Sequence, residues 1–140
     1  MKKILVVIPI IIGVILGIGL IPTEKSEDKV EYHITLADPK LYNNGIFVDS
    51  FEIKKGNYQF SFVPNGDSPT TLSIILKGDS FLFSEDFELQ GTLHDTGISE
   101  YYTWDYHGVK EIQIPKDSSL EITIDPNGNL VGPVSVDLKK

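Results

Sequence analysis

Between Lys54 and Gly78 the chain reads KKGNYQFSFVPNGDSPTTLSIILKG, with apolar residues recurring at every second position. Tyr58, Phe60 and Phe62 therefore share one face of a strand, and Asn57, Gln59 and Ser61 share the other. Pro64, Asn65, Gly66, Asp67, Ser68 and Pro69 interrupt the pattern as a turn, after which Leu72, Ile74 and Leu76 restore it. The aromatic and the aliphatic triplet can face one core. The segment predicts a strand, loop and strand of a β-sandwich against which the rest of the chain packs.

The same period continues on both sides. Val30, Tyr32, Ile34 and Leu36 alternate with Glu31, His33 and Thr35, which predicts a half-buried strand. Asp38 and Pro39 end it, Asn43, Asn44 and Gly45 form a turn, and Ile46 to Ile53 resumes extended character. After Gly78, the positions of Phe81, Phe83, Phe87 and Leu89 predict a strand with a bulge at Ser84 to Asp86, and Leu93 falls in a separate short piece. From Ser99 to His107, Tyr102, Trp104 and Tyr106 lie on one face, with Tyr101, Thr103, Asp105 and His107 opposite. Val109 to Ile114, Leu120 to Ile124 and Leu130 to Leu138 supply the last strands, and Asp125 to Asn129 signals a hairpin turn. Short strands with no helical apolar period beyond residue 22 predict an all-β fold over residues 30–140. Its expected form is an antiparallel β-sandwich of jelly-roll or Ig-like type.

The N-terminus differs in kind. Met1, Lys2 and Lys3 precede an uncharged apolar and glycine run from Ile4 to Ile21. As a helix, that run would extend about 27 Å, close to the roughly 30 Å hydrocarbon thickness of a bilayer. Residues 1–22 are thus expected to form a transmembrane helix in contact with membrane lipid, either kept as an anchor or cleaved as a signal peptide. Lys2 and Lys3 hold the N-terminus in the cytoplasm. Residues 23–29 (TEKSEDK) read as a polar stalk, and the domain is expected to be extracytoplasmic on a single-pass membrane protein, or secreted if the leader is removed.

Composition narrows the function classes. The 140 residues include no cysteine, so disulfides, zinc-thiolate sites and thiol nucleophiles are excluded. The formal charge is −8, and −10 without Lys2 and Lys3 (10 Lys against 20 Asp and Glu), which makes nucleic acid an unsuitable partner. No G-x-S-x-G elbow occurs, and His94 beside Asp95 is only an adjacency, so no catalytic residues, enzyme activity or cofactor is expected. His33, His94 and His107 lack chelating spacing, and Asp125, Asn127 and Asn129 start like a calcium loop but place Gly128 fourth and Val136 where a bidentate Glu is required. No metal site is assigned, although Asp79, Glu85, Asp86 and Glu88 form an acidic group between strands. Tyr102, Trp104 and Tyr106 are the candidate binding residues, because three rings in register can stack on a sugar or pack against a protein. Their competing role is to fill the core.

The run Phe51 to Phe62 (FEIKKGNYQFSF) together with Leu72 to Gly78 resembles the GOLD domain of the emp24-type Golgi cargo-receptor family, in which a small residue and Gly precede a Tyr-x-Phe-x-Phe-like strand. The resemblance spans about thirty residues. It implies a jelly-roll-like sandwich that binds other proteins and lacks catalytic residues. Pre-peptidase-like sandwiches of secreted enzymes resemble the stretch almost as well. The family usually carries a cysteine pair, a coiled coil and a C-terminal membrane span, whereas this chain has no cysteine and an N-terminal apolar run, so cargo-receptor activity is not carried over. The expectation is a membrane-tethered extracytoplasmic module that binds a protein partner at the cell surface. The alternatives are a carbohydrate- or metal-binding accessory module of a surface enzyme and a passive cell-envelope component.

Overall fold

A computed structural model of the chain describes residues 29–140. The expected transmembrane helix and residues 23–28 of the stalk lie outside the described residues. Among the described residues, no helix is long and apolar enough to cross a membrane.

Each predicted alternating stretch forms a strand: β1 (Val30–Leu36), β2 (Phe47–Ile53), β3 (Gly56–Pro64), β4 (Thr71–Lys77), β5 (Leu82–Asp95), β6 (Glu100–His107), β7 (Glu111–Ile114), β8 (Ser118–Asp125) and β9 (Val134–Lys139). A 3-10 turn, Pro39–Leu41, follows β1, with Asp38 accepting from the Lys40 N–H as its cap. One sheet has the order β1-β9-β3-β7 and the other β2-β8-β4-β5-β6, all neighbours antiparallel. Apart from the β4-β5-β6 meander, each strand is followed by one in the opposite sheet. Over the body of the sandwich, alternate side chains of the two sheets therefore meet in one interior, where Phe60, Leu72, Ile74, Phe87, Ile122 and Val136 are almost wholly buried.

Three local expectations are corrected. The β4-β5 ladder runs unbroken from Leu82 to Glu88, with no bulge at Ser84 to Asp86. Glu85 holds the inward position opposite Ile74, and its Oε2 accepts the Val109 N–H at 2.6 Å, so a carboxylate keeps the phase of the alternation. Leu93 belongs to β5 itself. The Asp125 to Asn129 turn has the expected left-handed residues, Asn127 (φ 55°) and Gly128 (φ 97°), but joins β8 to β9 across the two sheets, so it closes no hairpin. The Asn127 side-chain amide donates to Thr71 O at 2.9 Å, pinning this crossover to β4.

The two sides of the sandwich differ. At β1 and β2, Tyr32 stacks on Phe51 with ring centroids 4.5 Å apart and donates its hydroxyl to Asp49 at 3.0 Å, which joins the sheets. At β6 and β7, Phe62 of β3 meets Tyr106 of β6 with ring centroids 5.2 Å apart, and the Phe60 N–H donates to Lys110 O at 2.9 Å. This side carries the features with functional potential.

Candidate functional site

β4 last pairs at Thr71, opposite Glu88, whereas β5 continues to Asp95. The Leu89 N–H reaches back to Thr70 O at 2.9 Å, and farther out, among the described residues, β5 has only β6 as ladder partner. Leu89 to Tyr106 thus forms a two-stranded ribbon that extends past the end of β4. At its tip, Thr96 N–H donates to Ser99 O at 2.9 Å around Gly97 and Ile98. Gly97 adopts φ 86°, as a two-residue hairpin loop with glycine first requires. Ile98 is 96% exposed there.

The ribbon's departure from the body separates the three candidate rings. They share a face, as alternation demands, but occupy successive depths. Tyr106 is fully buried and donates its hydroxyl to Pro69 O at 2.6 Å, and burial pushes its phenol well above the ordinary range. Trp104 is half-buried, and Tyr102 is 56% exposed. Tyr106 is therefore core, Tyr102 is surface, and Trp104 joins them by stacking on Tyr102 at 5.6 Å.

Trp104 lies between two glycines. A Cβ added to Gly91, its cross-strand neighbour, would come within 2.7 Å of the indole, and one added to Gly66 in the β3-β4 loop within 3.1 Å. An aromatic side chain covering an opposed strand glycine is a known stabilising arrangement. Here the contact with Gly66 also fastens the ribbon to the body. The available sequence signal was Gly91 itself, since glycine inside a strand marks close approach of another group.

The remaining side chains of the ribbon complete an apolar, acidic surface. Leu93 lies opposite Tyr102 and is half-exposed. On the other face His94 stacks on Tyr101 at 4.9 Å and bonds Thr103 Oγ1 at 2.9 Å. Tyr101 lies on the face opposite the three candidate rings, the face that becomes exposed where those rings turn inward.

The backbone edge of β6 is capped at one end only. The Tyr106 N–H donates to Oδ1 of Asp105 at 2.8 Å, and that carboxylate also meets Lys110 Nζ at 3.3 Å. Tyr106 N–H thus points away from β5, and the antiparallel ladder, whose bonding residues alternate, puts the N–H groups of Glu100, Tyr102 and Trp104 on the same outer edge. Among the described residues no neighbouring strand covers this edge. At the other margin of the sheet, β2 uses the same device: Asp49 Oδ1 accepts the Ser50 N–H at 2.8 Å. Capped edges resist adventitious pairing.

Beside the ribbon's base lies a groove of about 770 Å³, lined in part by Asn57, Gln59, Gln113, Asp105 and Lys110. Lys110 Nζ stands 6.0 Å above the Phe62 ring. Its volume is that of small-ligand sites, and its amides could hydrogen-bond a polar molecule.

The other candidate groups are dispersed. His33 binds Asp137 and Thr35, far from His94 and His107 in the sheets. Glu85 is engaged by Val109 N–H, and Glu88 accepts from Thr71 Oγ1 at 3.0 Å. Asp125 accepts the Asn127 N–H at 2.8 Å within its own turn. Among the described residues, no three His, Asp or Glu side chains are placed to share a metal ion.

Comparisons with protein-family models, curated proteins and solved structures gave no match.

Proposed function

We propose that this chain is a membrane-tethered, extracytoplasmic binding module whose contact surface is the β5-β6 ribbon, and that its partner is a protein at the cell surface. The carrying observation is the ribbon's exposure of Leu93 (49%), Ile98 (96%), Tyr101 (51%) and Tyr102 (56%) beyond the end of β4. A two-stranded ribbon is only marginally stable in water, so displaying apolar residues on one favours a role in which a partner covers them. Strand order supports placing the body among jelly rolls, since β1-β9-β3-β7 opposite β2-β8-β4-β5 is the order two interleaved Greek keys produce. On this reading β6 is an addition to that scaffold. The GOLD resemblance agrees at the level of fold and binding role. The Ile4 to Ile21 run supports the tether, which would confine the module near partners in the same membrane and let modest affinity suffice.

The test is site-specific photo-crosslinking in native membranes. A photoreactive group at Leu93 should capture a discrete protein neighbour, while the same group at Val48, exposed on β2, should not. Equal, diffuse labelling from both positions would overturn the assignment. A carbohydrate-binding reading draws on the amide-lined groove and on Tyr102. It is the weaker one, because Trp104 is held between Gly66 and Gly91, leaving Tyr102 as the one widely exposed ring of the three.

A further inference from the structure

We propose that the outer edge of β6 takes up an extended, lysine- or arginine-bearing peptide segment of the partner by strand addition. This inference rests on the binding reading above and specifies its mode and chemistry. The edge N–H groups of Glu100, Tyr102 and Trp104 are set at the alternate spacing that an added strand pairs with. Asp105 closes the edge at its core end, which confines addition to the ribbon's outer half. An added strand would lie about 4.8 Å from β6 and place alternate side chains over the Tyr102 and Trp104 face.

Charge selects the occupant. No lysine or arginine occurs between Lys77 and Lys110, so the whole of β5 and β6 carries carboxylates without cations of its own. Asp105 has Lys110 as a partner, but Asp95 and Glu100, opposed across the ribbon near its tip, form no ion pair among the described residues. A basic strand relieves their mutual repulsion. A second copy of this chain would instead bring further carboxylates against them, and an anionic membrane surface would repel the tip. An acidic, apolar ribbon with a free edge is complementary to a basic extended peptide.

Full-length protein is titrated with a short peptide of alternating lysine and valine and with its glutamate-valine counterpart, and amide exchange is followed residue by residue. The lysine peptide should slow exchange at the Tyr102 and Trp104 amides while leaving Thr103, which already pairs with Thr92, unchanged. Its binding should weaken as salt rises. The double variant D95K/E100K should lower its affinity about tenfold and turn preference toward the glutamate peptide. Equal binding of both peptides, or binding that leaves Tyr102 and Trp104 amides unprotected, would overturn the proposal. So would protection that grows with protein concentration alone, which marks a second copy, or preferential partition onto anionic vesicles. If the peptide assay fails while Leu93 still crosslinks a discrete neighbour, the binding module stands and only strand addition falls.

Discussion

Two buried tyrosines differ in what their hydroxyls meet, and the difference is measurable. Tyr106 donates to Pro69 O, whereas the Tyr42 hydroxyl is buried with no hydrogen-bond partner among the described residues. Tyr106→Phe removes a satisfied bond and strands a carbonyl, so it should lower stability by about 1–3 kcal/mol. Tyr42→Phe removes a desolvated group that bonds nothing and should be neutral or stabilising by up to about 1 kcal/mol. Urea denaturation of both variants, with unchanged m-values, checks the pair. Equal losses would mean that both hydroxyls are bonded. Alternation located Tyr102, Trp104 and Tyr106 on one face, but depth along that face is not a property of residue type.

For the elements, the central relation is that β5 outruns β4. Trp104 then becomes the fastening of the ribbon, which makes Gly91 sensitive to substitution. Gly91→Ala would drive a methyl to within 2.7 Å of the indole and should cost about 1–3 kcal/mol, expressed locally. Amide exchange from Leu89 to Trp104 should accelerate and Trp104 emission should shift to the red, while β8 stays protected. Unchanged exchange in the ribbon would show that the indole does not hold it. Sequence periodicity divides β5 at this point for a clear reason. Periodicity counts apolar residues, so inward Glu85 and interior Gly91 looked like interruptions, although Val109 satisfies the first and Trp104 covers the second.

On the scale of the molecule, Tyr32, Tyr42, Tyr58 and Tyr106 all have phenols raised above the ordinary range, chiefly by burial. A raised phenol pKa means that the folded state favours the neutral form. The stability linked to these groups is fully present below the unfolded value of about 10 and is lost as pH rises from there toward the folded values. Each phenolate also adds negative charge to a chain already at −8. The protein should therefore unfold cooperatively in alkali, with these tyrosines ionising together as it unfolds. Thermal midpoints across alkaline pH, read beside phenolate absorbance, check this; complete ionisation in a protein that remains folded would contradict it.

The chain's own pattern determined that the domain is all-β, which side of most strands faces inward, and where most turns fall. Extended backbone sends successive side chains to opposite faces whatever it pairs with, and Gly, Asn and Pro restrict the backbone locally. Tertiary structure alone decided which strands are neighbours, that β5 and β6 leave the body together, and that Tyr106 is core while Tyr102 meets solvent. Those outcomes depend on contacts between residues far apart in the chain, such as Trp104 on Gly66, Tyr106 on Pro69 and Glu85 on Val109. Strand length and pairing are set by what the opposite partner offers, and a local period carries no record of the partner.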